Sequence, residues 1–428
     1  MTLQIAPLRR ACSVLPDEFY STCQALGHDP ELAARPEGHE TYSLIPDLPT
    51  YRSFLAATQE QREKRSAQFF NPGIRLRSRL GQGLHDRGEA SVFAVHSLTE
   101  EDRAALDVHL PLHMRTLSIA HKYVPPGETW DVSVRGDYWG LDDMEELYVT
   151  LNIGTLELGA GARVVVQGNV LVMTVQSMFV ATPRAQYQIG ILPTPHSVDY
   201  GSGPMRGADG AAGGPGANGR DGRALDTQET LIGPCAREAV RPELLCGTAG
   251  QPGSAGQHGR RGRNGGACKL ADITLRALEG SVEVFAQAGS GGDGGDGGAG
   301  GDGGHGGAAV AGPALIGGKV PDGQAGAGGD GGAGGDGGAA GGGGIASNIY
   351  ISVPGHAVPQ VSYTALPSEP GRPGSAGPGG AAGKAGRAAP HTPHAPNGQA
   401  GADGRPGAVG RSRRAPWVFI NEIGPEPV

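Results

Sequence analysis

The sequence predicts a mainly β and irregular protein, in which an antiparallel bundle of six glycine-rich polyproline II helices packs on a β-solenoid or β-sandwich layer. Two observations predict this fold. Glycine recurs at every third position in six separate runs, and short apolar segments at even spacing precede those runs. The composition agrees, because the 428 residues include 77 glycines and only 5% aromatic residues. Such a chain has few large side chains for an ordinary apolar core.

The period of three is strict between residues 207 and 410. Polyproline II has three residues per turn, so a glycine at every third position leaves one edge of the helix bare for another backbone to approach. The register resumes after each interruption, which argues against a flexible linker. Prolines are too sparse for a collagen trimer. Runs 1 to 6 cover 207–222, 247–265, 289–307, 323–344, 371–386 and 398–410.

Runs 3 and 4 are mostly Gly-Gly-X, which gives each helix two bare edges per turn. We therefore expect them in the middle of a two-layer bundle, with the other four runs at its periphery. A calcium β-roll is the alternative for 291–299, but glycine occupies its apolar position, Gly298. We expect the aspartates of these runs to project from the bundle for solubility; they are Asp293, Asp296, Asp302, Asp330 and Asp336.

This pattern resembles two known kinds of glycine-rich polyproline II bundle, the snow flea antifreeze protein and the receptor-recognising tail-fibre adhesins of T-even-like phages. The resemblance covers residues 207–410, about half of the chain, and rests on architecture rather than on a signature motif. Through the phage adhesins, it implies receptor binding by loops at one end of a stiff rod. Ice binding needs a flat face of small residues, whereas outward positions here include Arg220, Arg260 and Asp302.

If successive runs are antiparallel, their connectors alternate between the two ends of the bundle. The connectors 267–288 and 345–370 contain alternating strand-like segments, which would join the β layer. The connectors 223–246, 308–322 and 387–397 are irregular and would form the opposite end. The candidate ligand-binding residues lie there: Arg237, Arg241, Glu243, Lys319, His391 and His394.

The chain divides into three regions. Residues 1–92 are mixed, with an expected helix over 51–70, and could form an attachment module. Residues 93–200 hold short strands separated by glycine turns, which are typical of a solenoid or a sandwich. Residues 201–428 hold the glycine runs, the inserted strands and a closing strand at 417–420.

One histidine group is a candidate metal site. If residues 105–120 form a strand, its polar face carries Asp107, His109, His113 and Arg115. Two histidines four residues apart on a strand lie roughly 13 Å apart. That distance is too long for a shared metal ion unless the chain bends at Pro111 and His121 adds a ligand. A solvated polar face is the simpler interpretation, and we predict no metal and no cofactor.

The sequence carries no Gly-x-Ser-x-Gly, P-loop or HExxH motif, so we predict a protein that is not an enzyme. A β-solenoid enzyme acting on polysaccharide would need carboxylates converging in a groove. The acidic cluster that could serve is Asp142, Asp143, Glu145 and Glu146.

Charge and hydropathy restrict the partners. The net charge of −8 argues against nucleic-acid binding. The sequence shows no apolar span of transmembrane length and no secretory signal. An adhesin of this kind would belong to a virion or follow leaderless secretion; otherwise the protein would be cytoplasmic. Cys235 and Cys246 bracket one connector, so they could pair in an oxidising compartment or remain free.

Together these observations predict a non-enzymatic binding or adhesion protein. It would present variable loops at the tip of a rigid bundle to a surface receptor or glycan. The alternative is a structural, self-assembling subunit, which would form homo-oligomer or assembly contacts through residues 1–200.

Overall fold

The computed structural model describes residues 15–55, 58–69, 88, 91–92, 104, 106–141, 145–181, 186–195 and 205–424. The protein is mainly β, with 28% of residues in strands and 13% in helices, which confirms the predicted class. No helix in these described ranges is long and apolar enough to cross a membrane.

Among the described residues, the helices near the N-terminus include α1 (Asp17–Ala25), α2 (Pro30–Ala33), α3 (Leu48–Ser53) and α4 (Gln59–Phe69). The single helix expected over 51–70 is therefore wrong. The reason is a capping box, in which Thr58 Oγ1 accepts the Gln61 N–H at 3.2 Å and Gln61 Oε1 accepts the Thr58 N–H at 3.0 Å. These two hydrogen bonds start α4 at Gln59, after α3 has ended at Ser53.

The strands form two parallel sheets and two hairpins. The large sheet has the order β1-β2-β4-β6-β10-β15-β17 with β11 beside β6, and the small sheet has the order β16-β12-β7-β5-β3. In chain order the strands are β1 (His39–Ile45), β2 (Leu112–Val124), β3 (Thr129–Asp131), β4 (Leu147–Leu158), β5 (Arg163–Gln167), β6 (Val170–Val180), β7 (Ile189–Leu192), β8 (Thr227–Thr230), β9 (Gly233–Ala236), β10 (Ala271–Leu275), β11 (Leu278–Glu279), β12 (Val282–Gln287), β13 (Ala314–Leu315), β14 (Gly318–Lys319), β15 (Ile349–Ser352), β16 (Val361–Leu366) and β17 (Val418–Ile420).

The chain alternates between the two sheets, adding β2, β4, β6, β10 and β15 to the large sheet and β3, β5, β7, β12 and β16 to the small one. Neighbouring strands are parallel, except that β1 pairs antiparallel with β2. Val149, Ile273 and Val284, from both sheets, lie in one buried apolar core. The predicted closing strand is present as β17.

Strand β4 corrects one sequence interpretation. Short strands separated by glycine turns were expected over residues 93–200, but residues 147–158 form one continuous strand of twelve residues. Gly154 lies inside the strand and does not form a turn. A Cβ there would lie 2.5 Å from the Ala120 carbonyl oxygen and 2.6 Å from Leu15, so the close approach of the N-terminal segment requires glycine.

The N-terminal helices cover the outer face of the large sheet. Tyr51 of α3 packs edge-on against Tyr148 at 5.1 Å between ring centroids. Arg65 of α4 is 1% exposed and binds Asp272 at 2.9 Å and Ser352 at 2.8 Å. Its guanidinium also lies 5.0 Å from the Tyr350 ring centroid. The region expected to be an attachment module therefore packs tightly on the sheet.

Glycine N–H groups link the runs to one another. The Gly207 N–H of run 1 donates to the Asp293 backbone carbonyl of run 3 at 2.8 Å. The same pairing repeats at every third residue and ends with the Gly222 N–H and the Ala308 carbonyl. Consecutive runs pair in opposite directions. Run 3 shares hydrogen bonds with runs 1, 2, 4 and 5, and run 4 with runs 2, 3, 5 and 6. The two Gly-Gly-X runs therefore have the largest number of neighbouring runs.

The run aspartates do more than provide solubility, which corrects the sequence interpretation. Asp293 accepts the Arg372 N–H at 2.6 Å, and Asp302 accepts the Ala381 N–H at 2.7 Å. Both donors are backbone N–H groups of run 5 that belong to residues other than glycine. The hydrogen bond from the Ser375 N–H likewise lowers the pKa of Asp296. Other side chains that accept a neighbouring run's N–H include Asp209, Asn218, Asp221, Asn264, Asp330 and Asp336.

Candidate functional site

The irregular connectors 223–246 and 308–322 each contain a short hairpin. Strands β8 and β9 are joined by a two-residue turn, Leu231-Ile232, and β13 and β14 by Ile316-Gly317. In the first hairpin, Thr230 Oγ1 donates to the Gly233 carbonyl at 2.6 Å. Each second strand begins with a glycine of positive φ, 124° at Gly233 and 120° at Gly318, a conformation that disfavours other residues.

The two hairpins contact each other. The Ile316 N–H donates to the Pro234 carbonyl at 3.1 Å. A Cβ at Gly233 would lie 3.2 Å from Ile316 Cγ1, so glycine leaves room for the isoleucine. The connectors are also joined at their bases, where the Val310 N–H donates to the Leu245 carbonyl at 2.9 Å. They form one unit, which we call the tip.

The third connector, 387–397, reaches the tip through Asp322. The hydrogen bond from the Gly312 N–H, together with Lys319 and a nearby His391, lowers the pKa of this carboxyl group. Lys319 Nζ lies 3.3 Å from Asp322. His391 has a φ of 66°, the left-handed region that few non-glycine residues adopt.

The six predicted ligand-binding residues are all exposed, but they do not form one cluster. Lys319 and His391 lie near the same carboxylate. Arg237 Nε lies 3.9 Å from Asp226 beside the first hairpin. Arg241 and Glu243 belong to a neighbouring 3-10 turn, Pro242–Leu245 and its N-cap. Within the described part of the chain, no ion pair joins these residues or His394 to the Lys319–Asp322 pair.

The sequence analysis missed the most prominent feature of the tip. Leu231 is fully exposed, Ile232 is 82% exposed and Ile316 is 49% exposed, all at the hairpin turns. We call these three side chains the apolar apex. Single exposed aliphatic residues are common, but a cluster on adjoining turns is a feature of binding surfaces. The available signal was an aliphatic pair, Leu231-Ile232, placed directly between Thr230 and Gly233 in a connector.

The two cysteines of this connector are unpaired in the structure. The Cys246 sulfur accepts the Gln324 N–H at 3.3 Å, so it takes the place that Asp or Asn occupies elsewhere between the runs. Cys235 lies in β9, with its sulfur 4.0 Å from Thr230 Oγ1.

The predicted histidine face does not form. The residues before β2 are not in the strand, so Asp107 and His109 do not share a strand face with His113 and Arg115. His109 lies 3.6 Å from Glu145, and His121 lies 3.0 Å from Glu157. Burial lowers the pKa of His113, whose ring packs edge-on against Trp139 at 5.3 Å. No group of three metal-ligating side chains occurs among the described residues.

The acidic cluster is only partly described. Asp142 and Asp143 lie outside the described residues. Glu146 is buried and bonded to Lys269 Nζ at 3.0 Å, so it serves an ion pair, and with Glu145 and His109 it lines a small cavity beside Tyr148.

Comparisons with protein-family models, with curated proteins and with solved structures find no match to this chain. The function is therefore argued from the geometry of the tip.

Proposed function

We propose that this protein is a non-enzymatic binding or adhesion protein, which presents the tip to a surface receptor. In this proposal the six glycine runs are an antiparallel polyproline II bundle, and the two parallel sheets are a β-solenoid at its other end. The apolar apex is the observation that carries the proposal.

The separation of the two ends supports this arrangement. Connectors 267–288 and 345–370 supply strands to the two sheets, whereas 223–246 and 308–322 form the hairpins of the tip. A polyproline II run of about 20 residues spans roughly 60 Å at 3.1 Å per residue. The runs would therefore hold the apex well away from the sheets, as a receptor-binding rod requires.

The chemistry of the apex favours a protein receptor with an apolar pocket. Burying an exposed Leu or Ile side chain contributes roughly 1.5–3 kcal/mol, and three such side chains are available. Arg237, Arg241 and Glu243 are exposed on the same connector and would supply the polar rim that surrounds the apolar centre of a typical interface.

The test is binding of the labelled full-length protein to a panel of whole bacteria and purified glycans. The double variant Leu231→Ser/Ile232→Ser should lose at least about tenfold in affinity for its target cells. The matched control is Val409→Ser, because Val409 is 80% exposed on run 6 and is not part of the tip. Equal binding of target cells by the apex variant and the wild type would refute the proposal, and a purified glycan whose binding the apex variant loses would replace the protein receptor.

A second candidate, the self-assembling subunit, is favoured by β16, although this strand lies outside residues 1–200, where the assembly contacts were expected. This six-residue strand is the last of the small sheet and contains neither proline nor a charged residue. Tyr363 and Leu366 are 39% and 41% exposed on it. Uncovered sheet edges of this kind pair readily with other chains. Sedimentation velocity distinguishes the candidates, because assembly predicts concentration-dependent oligomers that a Ser362→Pro substitution abolishes.

A further inference from the structure

A cluster of aromatic rings lies on the protein surface at the β1 edge of the large sheet, separate from the tip. Tyr138 stacks on Tyr42 with 3.9 Å between ring centroids and 19° between ring planes. Trp139 packs edge-on against both rings, at 5.2 Å and 5.8 Å, and against His113 at 5.3 Å. We call these four side chains the aromatic cluster.

Local structure holds the cluster at the surface. Tyr42 lies on β1 opposite Arg115 of β2. A 3-10 helix, Gly136–Trp139, follows β3 and places its two aromatic residues against β1. Tyr138 remains 62% exposed and Tyr42 36% exposed, although both rings are fixed by stacking. Large exposed aromatic rings held in place are suited to binding, because little side-chain freedom is lost on contact.

Charged groups surround the rings. Arg115 binds the Glu40 carboxylate and donates to the Val132 carbonyl at 2.8 Å. Arg135 and Asp137 flank Tyr138 in sequence and are exposed. Asp137 also accepts the Tyr138 N–H at 3.0 Å, which fixes the backbone that carries the ring.

We propose that the aromatic cluster is a saccharide-binding site. The face of an aromatic ring is electrostatically negative, so it attracts the weakly positive C–H groups on the apolar face of a sugar ring. The sugar would stack on the face of Tyr138 that points away from Tyr42. Arg135 would donate hydrogen bonds to the hydroxyl groups of the sugar, and Asp137 would accept hydrogen bonds from them.

Aromatic rings and charged side chains lie side by side on this surface, which fits a saccharide better than other partners. A lipid surface would require a continuous apolar patch, and the rings here are bordered by Arg135, Asp137 and Glu40. A sugar presents apolar C–H faces and hydroxyl groups within a single ring, so it can use both kinds of contact at once. This proposal gives the protein a second binding surface, which is separate from the tip and does not depend on the apolar apex.

The test is calorimetric titration of the full-length protein with cellohexaose, chitohexaose and maltohexaose, alongside its tryptophan fluorescence, to which Trp139 contributes. At least one oligosaccharide should bind saturably. Tyr138→Ala should weaken that binding at least about tenfold, whereas Tyr138→Phe keeps the ring and should bind within about twofold of the wild type. Arg135→Ala, at an exposed position, should weaken binding several-fold without changing the melting temperature.

Two controls isolate the site. Tyr123→Ala removes a tyrosine that is 37% exposed on β2, and it should leave saccharide binding unchanged. The apex variant Leu231→Ser/Ile232→Ser should also bind the oligosaccharide normally, which separates this site from the tip. The inference is overturned if none of the three oligosaccharides binds at millimolar concentration. It is equally overturned if Tyr138→Ala and Arg135→Ala both bind like the wild type.

Discussion

At the scale of single residues, side chains and backbone donors are matched between neighbouring runs. Residues of run 3 face residues 79 positions later in run 5, as with Asp302 and the Ala381 N–H. In the same register, Ala299 faces Pro378, which has no N–H to donate. Between runs 3 and 5, an acceptor side chain therefore faces an N–H group, and alanine faces the proline that has none.

Replacing Asp302 by alanine tests this matching. The Ala381 N–H would lose its partner, although solvent can partly replace it because the site is exposed. We expect a loss of about 0.5–1 kcal/mol in the free energy of unfolding, measured by urea denaturation. Asp302→Asn retains an acceptor oxygen and should be close to wild type. Equal losses in both variants would show that charge matters here rather than the hydrogen bond.

A buried histidine predicts acid sensitivity. His28 is 3% exposed, and its ring nitrogens lie 2.7 Å from Ser118 Oγ and 3.0 Å from Thr116 Oγ1. Burial, helped by His39, lowers its pKa from 6.5 to about 4. The unfolded chain therefore binds a proton between pH 6.5 and 4 that the folded protein excludes. Stability should fall by up to roughly 3 kcal/mol as the pH drops through this window.

The measurement is the melting temperature between pH 7 and pH 4. His28→Gln should flatten its decline, whereas His394→Gln, at an exposed position of the third connector, should leave the decline unchanged. The same slope in all three proteins would remove His28 as the cause.

At the scale of elements, the glycines of the runs are not equivalent. A Cβ on Gly298 would overlap the carbonyl oxygen of Ala211 and approach that of Gly210 to 2.9 Å. A Cβ on Gly214 would meet only the Ser254 hydroxyl, at 3.7 Å. Backbone in a packed run cannot move aside without breaking the repeated hydrogen bonds.

Gly298→Ala should therefore lower the melting temperature by about 10 °C or more, or prevent folding, whereas Gly214→Ala should change it by less than about 2 °C. Calorimetry of the two purified variants is the check. A tolerated alanine at Gly298 would contradict the close packing of runs 1 and 3.

Helix α4 is joined to the large sheet by a buried ion pair. Removing Arg65 would leave the buried carboxyl of Asp272 without this partner, at a cost of about 3–5 kcal/mol. We expect Arg65→Ala to show this loss in chemical denaturation. The neighbouring Lys64→Ala is the control, because its pair with Glu60 is exposed to solvent and its loss should leave the stability nearly unchanged. Similar small effects in both variants would mean that α4 does not stabilise the sheet.

At the scale of the whole molecule, periodic features could be predicted from the sequence and aperiodic ones could not. The Gly-Gly-X spacing indicated that runs 3 and 4 contact more runs than the others do, because two glycines per triplet leave two sides open to neighbouring backbone. The tip hairpins have two-residue turns and strands of two to four residues, too short to show any period. Their apolar apex was therefore missed.

Long-range partners also lay beyond sequence reasoning. Arg65 and Asp272 are 207 positions apart, and neither residue type predicts burial. The candidate histidine group required a strand over residues 105–120, but β2 begins only at Leu112. The predicted ligand-binding residues lie on the three irregular connectors. The fold of those connectors decides which of these residues lie close together, and the sequence does not show that fold.

The most direct test of the receptor-binding tip is site-specific photo-crosslinking on intact target cells. Three variants would each carry one photoreactive amino acid. It would replace Ile232 or Ile316, both in the apolar apex, or Val409 on run 6. The proposal predicts the same discrete covalent adduct from positions 232 and 316 and none from 409. An adduct from 409 alone, or equal labelling from all three positions, would contradict receptor binding at the tip.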